Sequence, residues 1–565
     1  MHTKSWKVYF AALALLPIFA VGFSFLLPYG AAFWNAFGGG GEKSGLENAA
    51  ILRITLFTVR QAFFSVLVAL ALGLPGAWFM GSAGSRESSR FRFSPILRSL
   101  TAIPFAMPSI LVVLGFVLFF GNSGWLNRIF MLITGRSEGP FRILYKPAAI
   151  ILAHGFFNFP LVIRLAGDGL DRARKAYSAA AASLGASPFM TTLTVLLPLS
   201  VPSLLSAVLL VFLYSFTSFA VVLVLGGGPA STTLSVEIYR YARIFLNYHN
   251  AGVLALLETL IAVSLFLGYV LAGKKSREIK TDVEMRIDET IETQRKASLS
   301  WRAWAARSAA ILYGLVLVVF VLGPILSIPL ESLLERPSRS ARQVLSLTWW
   351  LSLSRGDTWL PALFRSLVLA FSSATLACVL AVLAAGVVKL LEEQGRGNSP
   401  GILLLRFFTT APIVSSGIVL GLGWLIVYGR NFSRAPFALV VLHGVIALPF
   451  AFNSIYEGFR SLPANTLNAA FVSGAGPLRF LVTTALPLSL PRLRSAWGFA
   501  AALSLGELNA VMMLGMENWE TLPLYIYRAV GAYRYGTACA AGTLLILGCA
   551  AAFLLSETRR IRHGS

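Results

Sequence analysis

Apolar residues run along this chain in uninterrupted blocks of about twenty, without the alternation of a half-buried strand or the three-to-four spacing of a surface helix. Twelve blocks stand out, at roughly 8–27, 55–80, 100–121, 146–164, 200–226, 251–273, 308–330, 362–388, 402–428, 436–455, 491–516 and 536–556. About 20 apolar residues in a helix cross the hydrocarbon of a bilayer. Lipid offers no water to backbone N–H and C=O groups, so each block is predicted to be helical. The pattern predicts an all-α integral membrane protein of about twelve transmembrane helices. Pro104, Pro108, Pro160, Pro412 and Pro449 fall within blocks and predict kinks or cavity-lining breaks. The one clearly soluble stretch, 274–307, mixes lysine and arginine with glutamate and aspartate. It predicts a charged, partly helical linker between a first unit, 1–273, and a second, 308–565.

Composition agrees with this picture. Of 565 residues, 56% are hydrophobic and only 13% charged, too few charges for a soluble chain of this length. The net charge of +23 raises the question of nucleic acid. The basic residues are scattered among the blocks and form no single patch, which argues against it. Retention of Lys and Arg in cytoplasmic loops explains the excess. Arg86, Arg90, Arg92 and Arg98 place the loop after the second span inside, and Arg559, Arg560 and Arg562 do the same for the C-terminus. Both termini are then cytoplasmic, although Arg128, Arg136 and Arg142 occupy a loop assigned outside. Lys4 and Lys7 precede an apolar run to Leu27 that is long for a signal peptide and reads as an uncleaved span. Cys378, Cys539 and Cys549 all lie in apolar blocks and read as small buried hydrophobes.

The chain repeats itself. Gly185 and Gly474 are each followed thirteen residues later by proline, Pro198 and Pro487. The same offset of 289 relates His154-Gly155 to His443-Gly444, Pro160 to Pro449 and Asp168-Gly169 to Glu457-Gly458. Upstream, an offset of 308 relates Ala62-Phe63 to Ala370-Phe371, Pro104 to Pro412 and Gly115 to Gly423. Six spans per half is an even number, so the halves enter the membrane in the same sense. This is a parallel repeat, unlike the inverted repeats common in secondary transporters.

Two polar loops, 168–198 and 457–487, carry the chemistry-bearing pattern. The first reads Ala179-Ala180-Ala181, Gly185, Val195, Leu197-Pro198. The second reads Asn468-Ala469-Ala470, Gly474, Thr484, Leu486-Pro487. Small residues allow close helix approach, glycine turns the chain, and proline suits the first turn of the next helix. Both loops resemble the EAA loop of permease subunits of ATP-binding-cassette importers. The family's glutamate is absent from both, at Ala179 and Asn468, and Thr484 replaces an aliphatic residue. Ala153-His154-Gly155, Ser218 through Gly226, Thr232-Thr233-Leu234 and Ile238-Tyr239 are similar to the first half of fused thiamine importer permeases. Ser504-Leu505-Gly506-Glu507, Leu514-Gly515, Thr521-Leu522-Pro523 and Tyr533-Arg534 extend the likeness to the second. Fused iron(III) importer permeases share the duplication and a similar Ser-Leu-Gly-Glu run.

The resemblance implies a type I importer permease of the bacterial inner membrane that moves a small solute, thiamine or a thiamine-like cation, into the cytoplasm. It implies two copies of an ATPase subunit gripping Ala179–Ala181, Gly185 and Pro198 on one half and Asn468–Ala470, Gly474 and Pro487 on the other. It also implies a periplasmic or lipid-anchored solute-binding protein. ATP would be bound by the separate subunit, and the chain itself would carry no cofactor and perform no catalysis. An iron(III) importer is the alternative; an ion-gradient-driven transporter would show several paired carboxylates, and a membrane enzyme would show clustered His, Asp or Glu. Gly268, Gly273, Lys274 and Lys275 fail as a phosphate-binding loop, since no Ser or Thr follows the lysine.

For the pathway, Glu507 reads as the one clear mid-span carboxylate, with Asn509 beside it; it is expected either to face a passing cation or to bridge helices. Ser215, Thr217 and Ser218 occupy the matching region of the first half. Gly226, Gly227 and Gly228 are candidates for an outer gate or an ordinary loop. Tyr239 and Tyr527 read as interfacial residues or stacking partners of an aromatic solute. His154 and His443 have no clustered ligands and read as helix-packing residues.

Overall fold

The computed structural model describes residues 14–37, 47–82, 107–287 and 301–557, apart from 227, 229–230, 336–343, 356–357, 398, 434–435 and 516–518. Lys4 and Lys7, the Arg86–Arg98 cluster, Pro104, Gly227, the middle of the linker and Arg559–Arg562 lie outside the described residues. The first half comprises α1 (Ala14–Phe37), α2 (Asn48–Ser82), α3 (Ser109–Phe120), α4 (Trp125–Thr134), α5 (Pro147–Ser183), α6 (Leu197–Phe216), the short α7 (Ala220–Leu225) and α8 (Leu234–Tyr239), and α9 (Tyr248–Ile287). The second comprises α10 (Trp301–Ser332), a small antiparallel pair β1 (Leu334–Glu335) and β2 (Val344–Leu345), then α11 (Thr348–Arg355), α12 (Trp359–Glu393), α13 (Pro400–Thr410), α14 (Gly417–Ser433), α15 (Pro436–Arg460), α16 (Ala464–Val472), α17 (Leu490–Gly506), α18 (Asn509–Leu514), α19 (Leu522–Gly531) and α20 (Tyr535–Glu557).

Among the described residues ten helices are long and apolar enough to cross a membrane, or eleven if the pair 400–414 and 417–429, bent by 108°, is one span. The chain is a multi-pass, all-α membrane protein. Three expected spans are not continuous helices, the block 402–428 being broken at that 108° bend. The block 200–226 divides where α6 stops at Phe216 and α7 begins at Ala220. The block 491–516 divides where α17 stops at Gly506 and Glu507 turns extended (ψ 117°) before α18. Hydropathy cannot register such breaks, because the residues on either side remain apolar. Of the prolines, Pro412 lies at the 108° bend and Pro108 caps α3, whereas α5 and α15 continue through Pro160 and Pro449.

The repeat seen in the sequence is repeated in the contacts. Gly155 and Gly444 admit close packing of α2 and α12: an added methyl would fall 2.3 Å from Val68 and 3.1 Å from Leu376, residues themselves 308 apart (376 − 68). Thr58 accepts the N–H of Leu234 at 3.1 Å, and Ser366 that of Leu522 at 2.7 Å, so each half pins its short post-break helix to its second span. The halves also exchange their first helices. α1 packs on α14, where a methyl on Gly423 would lie 2.3 Å from the Pro28 carbonyl oxygen. α10 packs on α3, where a methyl on Gly115 would lie 2.5 Å from the Pro324 carbonyl oxygen. Trp424 Nε1 donates to Ser24 O at 2.8 Å, and Tyr428 donates to Phe23 O. The two units therefore form one interlocked body.

Candidate functional site

The two loops end their helices in the same way. Gly185 (φ +79°) and Gly474 (φ +76°) adopt the left-handed conformation that glycine alone takes without a Cβ penalty. One residue on, Ala186 N–H reaches back to Ala181 O and Ala475 N–H to Ala470 O, both at 3.0 Å. This six-to-one bond closes the last turn and satisfies a carbonyl the helix leaves free. Both chains then pass through a five-residue π-helical stretch, Thr192–Leu196 and Leu481–Ala485. Pro198 and Pro487 have no N–H for a regular ladder, and the preceding Leu197 and Leu486 donate to Thr192 O and Leu481 O instead.

Ala179–Ala181 form the last turns of α5, and Asn468, Ala469 and Ala470 lie on α16. The halves differ in one respect. α5 runs unbroken to its loop, whereas α15 stops at Arg460 and α16 starts after Pro463, whose counterpart on α5 is Arg174 (463 − 289). Leu184 is 88% exposed and Val472 90% exposed. Large aliphatic side chains so fully exposed beside helices of small residues are what a covering partner would bury.

The second constellation sits where the halves meet. Glu507 Oε1 accepts the N–H of Ala510 at 3.1 Å and caps α18. Gly506 lies against Pro108 of the first half; a methyl there would be 3.0 Å from the proline ring. Gly417 leaves room for the Glu507 carboxylate, which would lie 2.9 Å from an added methyl. Glu507 therefore stands between Pro108, which caps α3, and the break before α14. Asn509 Oδ1 is buried without a hydrogen-bond partner among the described residues.

Glu507 is not the only mid-span carboxylate. Glu258 on α9 is 1% exposed; Ser235 donates to its Oε2 at 3.0 Å, Ser416 lies beside it, and Oε1 has no hydrogen-bond partner among the described residues. The sequence signal for it is a glutamate inside the apolar block 251–273. Both carboxylates thus address adjoining residues, Ser416 and Gly417, of the same bend, one from each half of the chain.

The remaining candidates are placed less centrally. Ser215 is wholly buried in a network with Asn158 Nδ2 (3.2 Å) and Gln61 Nε2, which donates to Ser215 O at 2.8 Å. His154 joins that network through Gln61 Oε1 at 3.0 Å, and His443 pairs with Ser504 Oγ at 2.8 Å. Thr217 donates to Leu213 O, and Ser218, the counterpart of Glu507 (507 − 289), lies half-buried in the break after α6. Gly226 caps α7 and Gly228 has φ +130°. Gly515, the counterpart of Gly226, has φ +62° and lies under Arg243 of the other half. Tyr239 packs on Phe219 with ring centroids 5.3 Å apart, and Tyr527 approaches Tyr239 from across the interface.

Comparison with known proteins agrees with this architecture. Residues 73–273 match the family model described as the binding-protein-dependent transport system inner membrane component. The chain is 28% identical over 546 residues to the thiamine transport system permease protein ThiP of Brucella suis, covering 93% of this chain and 90% of that one. It is 27% identical over 545 residues to the protein of the same name from Haemophilus influenzae, covering 95% and 94%. It is 28% identical over 222 residues to the spermidine/putrescine transport system permease protein PotB of Escherichia coli, covering 39% of this chain and 78% of that one. The likeness to thiamine-type permeases expected from the residues therefore extends over nearly the whole length.

Proposed function

We propose that this chain, an inner-membrane permease of the ATP-binding-cassette transporter type, forms both membrane halves of an importer that carries a thiamine-like cation into the cytoplasm. A soluble binding protein presents the solute at the outer face. Two ATPase subunits grip the Gly185 and Gly474 loops from inside, and their closure on ATP rocks the two halves about the shared interface. The chain contributes binding and motion; the chemistry of ATP belongs to its partners.

The observation that carries the reading is the duplicated loop geometry: two left-handed glycines, two identical capping bonds, and small, exposed helix ends, one on each of an interlocked pair of halves. A lone Ala-rich loop needs no partner. Two loops of the same geometry, each with a large aliphatic side chain held in the open, suit a symmetric motor. Both termini, like these loops, are then cytoplasmic.

The choice of a cation draws on Glu258 and Glu507. A carboxylate at membrane depth costs about 2.5–3.5 kcal/mol even on lenient scales, so it is retained where it faces protein, water or a counter-charge. An aromatic cation also suits Tyr239 and Tyr527 at the outer end of the same interface.

The test is reconstitution. The purified chain is combined in liposomes with a candidate ATPase and binding protein from the same genome, and ATP hydrolysis and uptake are followed with thiamine and with iron(III). Thiamine-stimulated hydrolysis coupled to thiamine uptake supports the proposal. Stimulation by iron(III) alone replaces the solute and keeps the mechanism, and uptake without any ATPase overturns the mechanism itself.

A further inference from the structure

The wall of the second half carries a groove. It has a volume of about 720 Å³ and lies between α12, the π-helical stretch 481–485 and the start of α17. Thr375, Cys378, Val379, Val382, Val482 and Arg494 are among the residues that line it. Trp497 stands at its inner end, its Nε1 donating to Thr375 Oγ1 at 3.1 Å. On the far side of Trp497 a second groove of about 470 Å³ continues along α12 past Phe371 to Leu367, with α17 and α20 as its other walls.

The repeat shows what differs at the matching positions. With the offsets of 308 and 289, Thr375 and Cys378 correspond to Leu67 and Leu70, and Arg494 and Trp497 to Leu205 and Val208. The four matching positions of the first half are all aliphatic. The second half has a small-residue floor, an arginine and an indole where the first has a plain aliphatic surface.

We propose that this groove binds the acyl chain of an anionic phospholipid of the cytoplasmic leaflet, with the headgroup phosphate on Arg494. Three observations select that occupant. Apart from Thr375 the lining is apolar except for Arg494, which is exposed. The groove runs from Leu383 to Thr375 along α12, eight residues or about 12 Å of helix rise, within the roughly 15 Å of one leaflet's hydrocarbon. Arg494 lies one turn before Trp497 on α17, and its long side chain carries the charge toward the headgroup while its stem stays in the groove. The same wall includes Leu478, Leu481 and Val482, which directly follow the Gly474 loop. A lipid seated there touches the segment through which that loop joins the membrane helices. The choice of leaflet rests on the cytoplasmic placement of that loop; binding itself does not.

The experiment uses the whole permease in detergent, with phosphatidylglycerol or phosphatidylcholine brominated on the acyl chains as a fluorescence quencher. The signal of Trp497 is the difference between the native chain and Trp497→Phe. Phosphatidylglycerol should quench it at roughly fivefold lower concentration, the value of one basic side chain near a lipid surface. Arg494→Leu, which installs the first-half residue, should erase that preference while leaving thermal stability unchanged. Val379→Phe, placed on the exposed groove wall, should weaken quenching by both lipids. Equal quenching by the two lipids in the native chain, or an undiminished preference in Arg494→Leu, overturns the proposal. Neither result depends on transport, so failure here leaves the importer reading intact, and failure of import leaves lipid binding to be judged alone.

Discussion

The two loop glycines offer a perturbation that separates coupling from folding. An added side chain at Gly185 or Gly474 meets nothing within 4 Å, so no packing is lost or strained. The cost lies in the backbone alone. An L-residue in the left-handed conformation costs about 1–2 kcal/mol, a factor of roughly 5–30 in the population of the native loop. Asparagine tolerates that conformation better than alanine, and a β-branched residue tolerates it worst. The expected order of damage is therefore Gly185→Asn, then Gly185→Ala, then Gly185→Val, and the same at Gly474. The readout is solute-stimulated ATP hydrolysis and uptake in the reconstituted complex, measured beside the thermal unfolding of the isolated permease. Coupling should fall along the series by up to about thirtyfold for valine while the unfolding temperature stays constant. Because the loops sit on separate halves, the double substitution should multiply the two losses. Normal coupling in both valine variants, or an asparagine variant as damaged as the valine one, would refute the assignment of these loops as the motor's grip.

Other consequences are as direct. Gly423→Ala and Gly115→Ala force a methyl against the Pro28 and Pro324 carbonyl oxygens and should each destabilise the permease by about 1–3 kcal/mol, whereas Gly30→Ala, with open space around it, should not; thermal unfolding in nanodiscs distinguishes them. Glu258→Gln and Glu507→Gln preserve an oxygen for Ser235 and for the Ala510 N–H, so the fold should persist while uptake of a cationic solute falls; unchanged uptake in both would remove the carboxylates from the pathway. Glu335, outside the membrane, is held below the usual carboxylate range by hydrogen bonds from Thr348 and Ser346. Its folded pKa is depressed, so the order it gives to the start of α11 is present above the ordinary glutamate value, about 4.3, and is lost as pH falls through the folded value. Amide exchange near Thr348 should rise only in acid, and Thr348→Ala should shift that rise toward neutral pH.

How far the sequence could be read depended on the physical scale of each feature. Membrane helices were legible because lipid imposes one length and one composition on every span. The duplication was legible because spacing survives where identity does not: Thr58 and Ser366 differ, yet both accept the same backbone N–H of the residue after Thr233 or Thr521. The helix breaks at Thr217–Phe219 and Glu507 were not legible, since apolar residues continue on both sides and the cause is tertiary. Gly506 must meet Pro108, which is 398 residues away (506 − 108). The exchange of first helices was hidden for the same reason, although Gly115 and Gly423 had already been paired without a known role.

The breaks connect the two constellations. A regular helix hides its carbonyls and N–H groups along its length, and exposes them only at its ends. Interrupting α13–α14 and α17–α18 brings two sets of ends to the interface between the halves, and the α6–α7 break opens a third within the first half, where hydropathy alone would have predicted smooth apolar walls. Glu507 satisfies one set through Ala510, and Ser416 supplies its Oγ to the N–H of Ile418 at 3.3 Å. Groups bound this way to short helix ends can change partners without unfolding a span. The Gly185 and Gly474 loops are joined to these same helices, since Leu197-Pro198 opens α6 and Leu486-Pro487 lies just before α17. A force on either loop therefore acts along a helix that ends at a break, beside Ser218 in the first half and Glu507 in the second. That continuity is why the glycine substitutions at the loops and the glutamine substitutions at the midline should differ in kind: the first should leave solute-binding groups intact and disconnect the motor, and the second should leave hydrolysis coupled to movement while weakening the choice of solute.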